Sequence, residues 1–226
     1  MHLLHIETST NICSVALSRG EELLQCIELS EGLNHTAMLA PMIDQLLKEN
    51  EIIPSDLKAV SVSSGPGSYT GLRVGSSTAK AMAYSLSIPI IGVPTLLSLA
   101  YAASEHYPDM DYFLPMLDAR RNEVYVTLFD KELKEVMPVS SLIVENEAVR
   151  EMIRPGKIMA CGDGAKKLEK LEVISGLRSD PAILCSARHL VKHAFQLFNS
   201  GDKSDPMHFV PFYMKPPNIT QQRKAV

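Results

Sequence analysis

The residue types that could do chemistry are densest in Gly65-Pro66-Gly67-Ser68-Tyr69-Thr70-Gly71-Leu72-Arg73-Val74-Gly75. Glycines between an apolar run and a helical pattern let the backbone turn sharply and approach another group closely. The free amides where such a helix starts could hold an anion. The spacing is not that of a GxxxxGK[ST] phosphate loop, because no Lys-Ser or Lys-Thr follows the second glycine, and it is not GxGxxG. The competing reading is structural: Gly71 and Gly75 give the helix a thin face for close packing. Glu7-Thr8-Ser9-Thr10, at the end of the first apolar run, could likewise place hydroxyls and amides around a phosphate, or be a polar turn.

Other chemistries find less support. His189 and His193 stand four apart on an expected helix, but a zincin needs Glu where this chain has Leu190, and also a third ligand. They read as ordinary helix histidines. Asp118, Glu123 and Asp163 sit on separate expected loops, and spacing alone pairs none of them for acid–base work. No GxSxG elbow occurs. The four cysteines, Cys13, Cys26, Cys161 and Cys185, match neither a CxxC metal knuckle nor a compact disulfide framework.

The elements that must position these residues follow from periodicity. Leu3–Glu7, Ser14–Ser18 and Glu22–Leu29 read as three strands joined by tight turns. A helix is expected over 34–50, with Leu39, Met42, Ile43, Leu46 and Leu47 at three- and four-residue steps and Asn34 or Thr36 as cap. Its apolar arc exceeds one stripe, so part could face the core and part a partner, or a second element of the chain could cover all of it. Lys58–Ser63 reads as a buried strand, 70–86 as a helix, Ile90–Val93 as a strand and Thr95–His106 as a helix. A second unit is expected from Tyr112, with strands at 113–117, 123–129 and 157–161 and a last helix at 187–199. Strands and helices in both halves predict an α/β protein with mixed sheets.

Composition bounds the partners. The 226 residues are 46% hydrophobic and 21% charged, with a formal net charge of -4. A chain that gripped RNA unaided would show a basic stripe. Only a short tail with Lys215, Arg223 and Lys224 is basic. With no signal peptide and no apolar run of about 20 residues, the expectation is a cytoplasmic protein with reduced thiols and no membrane span.

The Gly65–Gly75 segment closely resembles the TsaB family, also called YeaZ, whose signature G-P-G-S-[FY]-T-G-L-R-[IV]-G is matched at every position. Further hallmarks follow in order: Glu7-Thr8-Ser9-Thr10, then Asp118-Ala119-Arg120-Arg121-Asn122-Glu123-Val124-Tyr125, Gly162-Asp163-Gly164 and Pro211-Phe212-Tyr213-Met214-Lys215. Departures are Asn122, where the family often has Gly and where Asn can also take a positive φ, and Met214-Lys215 for the usual Leu-Arg.

The resemblance implies two actin-like domains of the acetate kinase/sugar kinase/actin superfamily, with sheets of the five-stranded type. The first would span 1–106 with 187–199 returning to it, and the second 107–226. It implies a non-catalytic scaffold or dimerisation subunit. Such a subunit binds its paralogue TsaD, and with it TsaE, to support threonylcarbamoyl transfer to the tRNA adenosine next to the anticodon. The chain would self-associate as a homodimer when alone and meet tRNA only through the complex. ATP or ADP and metal are expected on TsaD and TsaE, with no cofactor of the chain's own. TsaD binds metal through a helical His-x-x-x-His pair, whereas His35 here is followed by Leu39. The expected partner surface is His35, Met38, Leu39, Met42, Ile43 and Leu46 on one helix, and Thr70, Arg73, Val74 and Ser77 on the next. A vestigial nucleotide site would involve Thr8, Ser9, Gly65, Gly67 and Ser68. The rival readings are a nucleotide-dependent enzyme or metallopeptidase acting alone, and a stand-alone homodimer with a regulatory role.

Overall fold

The computed structural model describes residues 1–30 and 34–215, so Arg223 and Lys224 of the basic tail lie outside the described residues. Strands β1 (His2–Glu7), β2 (Cys13–Arg19) and β3 (Glu22–Leu29) form an antiparallel meander. Helix α1 (His35–Glu49) leads to β4 (Leu57–Ser63), and α2 (Tyr69–Leu86) to β5 (Ile90–Val93). Both of these strands join the sheet in parallel, giving the order β3-β2-β1-β4-β5. After α3 (Thr95–His106) the pattern repeats. Strands β6 (Tyr112–Asp118), β7 (Glu123–Asp130) and β8 (Glu135–Ile143) are antiparallel. Helix α4 (Asn146–Met152) precedes β9 (Ile158–Cys161) and β10 (Leu177–Asp180), which add in parallel, for the order β10-β9-β6-β7-β8. Two units of identical strand connectivity thus share one chain, a duplication that no short sequence period reveals.

The sequence expectations missed β8, α4 and β10. Both strands are sheet edges, where partial exposure removes the apolar alternation that marks a half-buried strand. Pro138 also sits inside β8, a position an edge strand tolerates.

Strand β1 is buried on both faces, which is why Leu3-Leu4-His5-Ile6 reads as a nearly continuous apolar run. Leu4 and Ile6 face α1 and α2 in a cluster with Val15, Leu17, Leu39, Met42, Leu46 and Val60. Leu3 faces the other way, toward Leu190 and Ala194. Those two belong to a last segment that is a 3-10 turn over Ala187–Leu190 before α5 (Val191–Ser200) begins, so the expected continuous helix starts late. Ser186 caps the turn through Arg188 N. Helix α3 follows the first sheet in the chain, but Leu96, Leu99 and Ala103 pack with Phe113, Met159 and Cys161 of the second.

Candidate functional site

Two features of the first unit position the site: a hinge of glycines and a pair of outward helices. Thr8 Oγ1 donates to Gly71 O at 2.8 Å, and Ser68 N donates to Ser9 O at 2.6 Å. The start of α2 is therefore laid directly on the turn after β1. A Cβ on Gly71 would lie 2.0 Å from Thr8 O, one on Gly67 2.5 Å from Ser9 O, and one on Gly75 2.2 Å from Thr8 Oγ1. The thin-face reading of Gly71 and Gly75 holds at both positions. Ser68 Oγ accepts from Gly71 N at 3.3 Å, so the side chain caps one of the amides that an anion would need. Gly65 has φ +104 and a Cβ there would meet Phe212 O at 2.3 Å, so it faces the C-terminal segment. Thr8 is fully buried. Of the expected nucleotide residues, Ser9, Gly67 and Ser68 line a cleft, while Thr8 and Gly65 do not.

Helices α1 and α2 cover one face of the first sheet. The expected partner surface needs correction here. Leu39, Met42, Ile43 and Leu46 are core residues of this chain, because β1, β2 and β4 present an apolar face that only this stripe can cover. His35 is buried too, its Nε2 within 3.2 Å of Ile12 O, and Val74 is half buried against the same core. Met38, at 40% exposure, with Thr70, Arg73 and Ser77 face outward. Their exposed neighbours are Thr36, Ala37, Ala40, Pro41, Ala81 and Tyr84.

The cleft lies between the two sheets and encloses about 800 Å³. One wall is Ser9, Thr10 and Asn11 with the first turn of α2; the other is the β6–β7 turn, Tyr125 and Asp163; Tyr213, Met214 and Lys215 complete it. All five stretches that carry the family resemblance, distant in sequence, therefore meet here. The three carboxylates that spacing left unpaired become one network. Asp118 Oδ1 accepts from Lys167 Nζ at 2.6 Å and from Arg120 N at 2.6 Å, and Asp163 Oδ1 accepts from Asp118 N at 2.9 Å. Lys167 Nζ also reaches Glu123 O at 2.7 Å. Lys215 donates to Glu123 Oε2 and, with Ser141, holds that carboxyl below its ordinary range. Burial pushes Asp163 upward, against the hydrogen bond it accepts from Asp118 N, while the Asp118 charge adds a smaller upward push. Spacing could not reveal this set, since Lys167 and Lys215 sit 49 and 92 residues from their partners.

Arg120 and Arg121 hold left-handed φ values of 71 and 51 in the β6–β7 turn. For non-glycine residues that conformation costs about 1–2 kcal/mol each. The positive φ expected at Asn122 falls instead on its two predecessors, and Asn122 Nδ2 donates to Val144 O at 2.8 Å.

Beneath the cleft, Glu7 is fully buried. Its Oε1 accepts from Ser9 N at 2.6 Å and Ser63 Oγ at 3.1 Å, while Oε2 has no partner. Desolvation outweighs these hydrogen bonds and pushes its pKa up.

A family model described as "TsaD: tRNA N6-adenosine threonylcarbamoyltransferase" matches residues 30–175. The tRNA threonylcarbamoyladenosine biosynthesis protein TsaB of Bacillus subtilis (strain 168) is 34% identical over 160 residues, 69% of each chain. The TsaB of Escherichia coli (strain K12) is 29% identical over 221 residues, 95% of each chain. A solved structure of YeaZ from Pseudomonas aeruginosa superposes with a TM-score of 0.83 at 26% identity, covering 94% of this chain and 99% of that one. The chain belongs to the TsaB family.

As a TsaB-family protein it has the two-unit actin-like α/β fold, and its family works in tRNA threonylcarbamoyladenosine biosynthesis. The histidines have packing roles. Burial drives His189 down to about 4 and lowers His193, whose ring meets Tyr101 edge-on at 5.2 Å. They also lie in different elements, His189 in the 3-10 turn and His193 in α5. No helix among the described residues is long and apolar enough to cross a membrane.

Proposed function

We propose that this chain is a non-catalytic, cytoplasmic subunit that docks its TsaD paralogue through the outward face of α1 and α2. In that complex, joined by TsaE, it supports threonylcarbamoyl transfer to the tRNA adenosine next to the anticodon. The observation that carries the reading is the character of the two helices' solvent side. Thr36, Ala37, Met38, Ala40 and Pro41 on α1, and Thr70, Ser77, Ala81 and Tyr84 on α2, are exposed and uncharged, and the exposed charges of the pair are Arg73 on α2 and Asp44, Lys48 and Glu49 in the second half of α1. Small residues let helices of a partner approach closely, and flexible Met38 adapts to the surface it meets. An unpartnered helix in water normally carries charges along the whole of this side, whereas the first half of α1 from Thr36 to Pro41 carries none.

The cleft supports the non-catalytic part. Asp118 and Glu123 are held by Lys167 and Lys215 of the same chain, which occupy the positions from which a cation would be recruited. The net charge of -4 favours a partner, not this chain, as the holder of tRNA. ATP or ADP and metal then belong to TsaD and TsaE, and the free chain pairs with itself through the same face.

Light scattering of the purified chain, alone and titrated with the TsaD paralogue, tests this. A 1:1 heterodimer should replace the free species, and Ala40→Glu with Ser77→Glu should prevent it while leaving the melting curve of the chain unchanged. If the double variant still assembles normally, the docking face lies elsewhere. If the wild-type chain ignores the paralogue, the subunit role fails.

A further inference from the structure

Three stripes lie side by side on one face of the first sheet. Helix α1 sits over β2 and β3, and α2 over β4. The third stripe is the chain that follows α5. Ser204 pairs with Ile90 of β5, Phe209 packs in the cluster that holds α1 and α2, and Phe212 N donates to Ser64 O at 2.7 Å. Lys80 Nζ, on α2, donates to Met207 O at 3.4 Å and to Phe209 O at 3.1 Å. Tyr213 meets Tyr69 at the start of α2, with ring centroids 5.0 Å apart. With the sheet order β3-β2-β1-β4-β5, residues 204–213 therefore run along the flank of α2 that faces away from α1.

Side chains alternate along this segment. Phe209 and Pro211 are buried, while Val210 is 70% exposed and Phe212 50%. An extended, half-covered segment normally turns polar residues to water. Here both outward side chains are large and apolar. Met207, 66% exposed, continues the row, and beside it Tyr84 of α2 is 67% exposed. Between these two, with Ala83, Pro89 and Pro206, lies an open groove of about 410 Å³. The charged groups at its rim are engaged within the chain. Asp205 Oδ1 accepts from Met207 N at 2.7 Å, His208 Nδ1 lies 3.5 Å from the same oxygen, and Lys203 Nζ lies 3.8 Å from the centre of the Phe198 ring.

Alone, the nine uncharged exposed residues on α1 and α2 named above fall well below the about 20–30 residues a side of a stable interface. A partner's footprint must spread beyond them. Toward the second half of α1 it meets Asp44, Lys48 and Glu49, whereas across α2 it meets Met207, Val210 and Phe212. We propose that the docking face continues across α2 onto residues 207–212. The TsaD paralogue that covers α1 and α2 also covers this row and seats an apolar side chain in the groove between Tyr84 and Met207. A buried anchor in such a pocket carries a large share of binding energy. The inference rests on the docking reading above and adds to it a contact that can be removed separately.

Isothermal titration calorimetry of the full chain with the purified paralogue is the test. Met207→Glu with Val210→Glu changes two mostly exposed side chains, so the melting curve should stay that of the wild type. Affinity for the paralogue should fall at least tenfold, and Val210→Glu alone should cost at least threefold. Met207→Leu with Val210→Ile should keep wild-type affinity. Unchanged affinity in the glutamate variants, while Ala40→Glu with Ser77→Glu prevents binding, overturns this extension and leaves the α1–α2 face standing. No binding by the wild-type chain overturns both. A double glutamate variant that binds the paralogue normally but no longer self-associates in light scattering assigns the row to a second copy of the chain, which also overturns the proposal.

Discussion

Gly71→Ala separates two physical arguments that predict opposite signs. Gly71 is the third residue of α2, and helix propensity alone would reward alanine by about 1 kcal/mol. In the folded chain the new Cβ would lie 2.0 Å from Thr8 O and 3.2 Å from Thr8 C. Both are backbone atoms just past the end of β1, the central strand of the first sheet, so neither can swing aside as a side-chain tip could. The helix must lift by about 1.4 Å to restore ordinary contact, since non-bonded atoms meet near 3.4 Å or more. That lift breaks the Thr8 Oγ1 to Gly71 O bond and loosens the apolar contacts of Leu72, which is 1% exposed. Overpacking of this kind costs about 1–3 kcal/mol and a buried hydrogen bond about 1 kcal/mol more. A net loss of about 2 kcal/mol is expected once the propensity gain is subtracted. Urea unfolding followed by circular dichroism, with a slope of about 2–3 kcal/mol/M, should show the midpoint about 1 M lower. A midpoint equal to or above wild type would refute the close-packing account of this glycine.

Leu39→Asp should unfold the chain rather than merely block assembly, because it buries a carboxylate among Leu4, Val15 and Met42. A soluble variant with a wild-type melting curve would put Leu39 back on the surface. Stability should fall as pH drops below about 6.5. His5, bonded to Ser61 and Ser18 and buried, is pushed down to about 3, and His189 to about 4, so the unfolded state takes up protons first. Each group should remove about 2 kcal/mol between pH 7 and 5, read as a pH-dependent urea midpoint, and His5→Asn should flatten that slope. Glu7 has the opposite sign. Its carboxyl is raised by burial, so the folded state keeps a proton the unfolded state releases, and stability falls as pH rises through the interval above the ordinary carboxylate value. Glu7→Gln should gain on wild type in thermal melts as the pH is raised above the ordinary carboxylate value, and a variant that loses ground there contradicts the assignment.

The sequence by itself determined the elements whose burial is one-sided or complete. The run Leu3-Leu4-His5-Ile6 and the steps from Leu39 to Leu47 are written by the faces they must hide, and local periodicity records such faces directly. It also determined the glycine-rich turn before α2, since only glycine permits the approach at Gly67 and Gly71. The edges β8 and β10 stayed illegible because an exposed edge imposes no pattern. Tertiary structure alone decided which apolar side of α1 is core. A broad arc leaves the choice open, and the sheet beneath took Leu39, Met42, Ile43 and Leu46 and left Met38 and Ala40 outside. It alone brought Ser9, Asp118, Asp163 and Lys215 to one cleft. Those residues are joined by the packing of two sheets across most of the chain's length, and no spacing rule reaches that far.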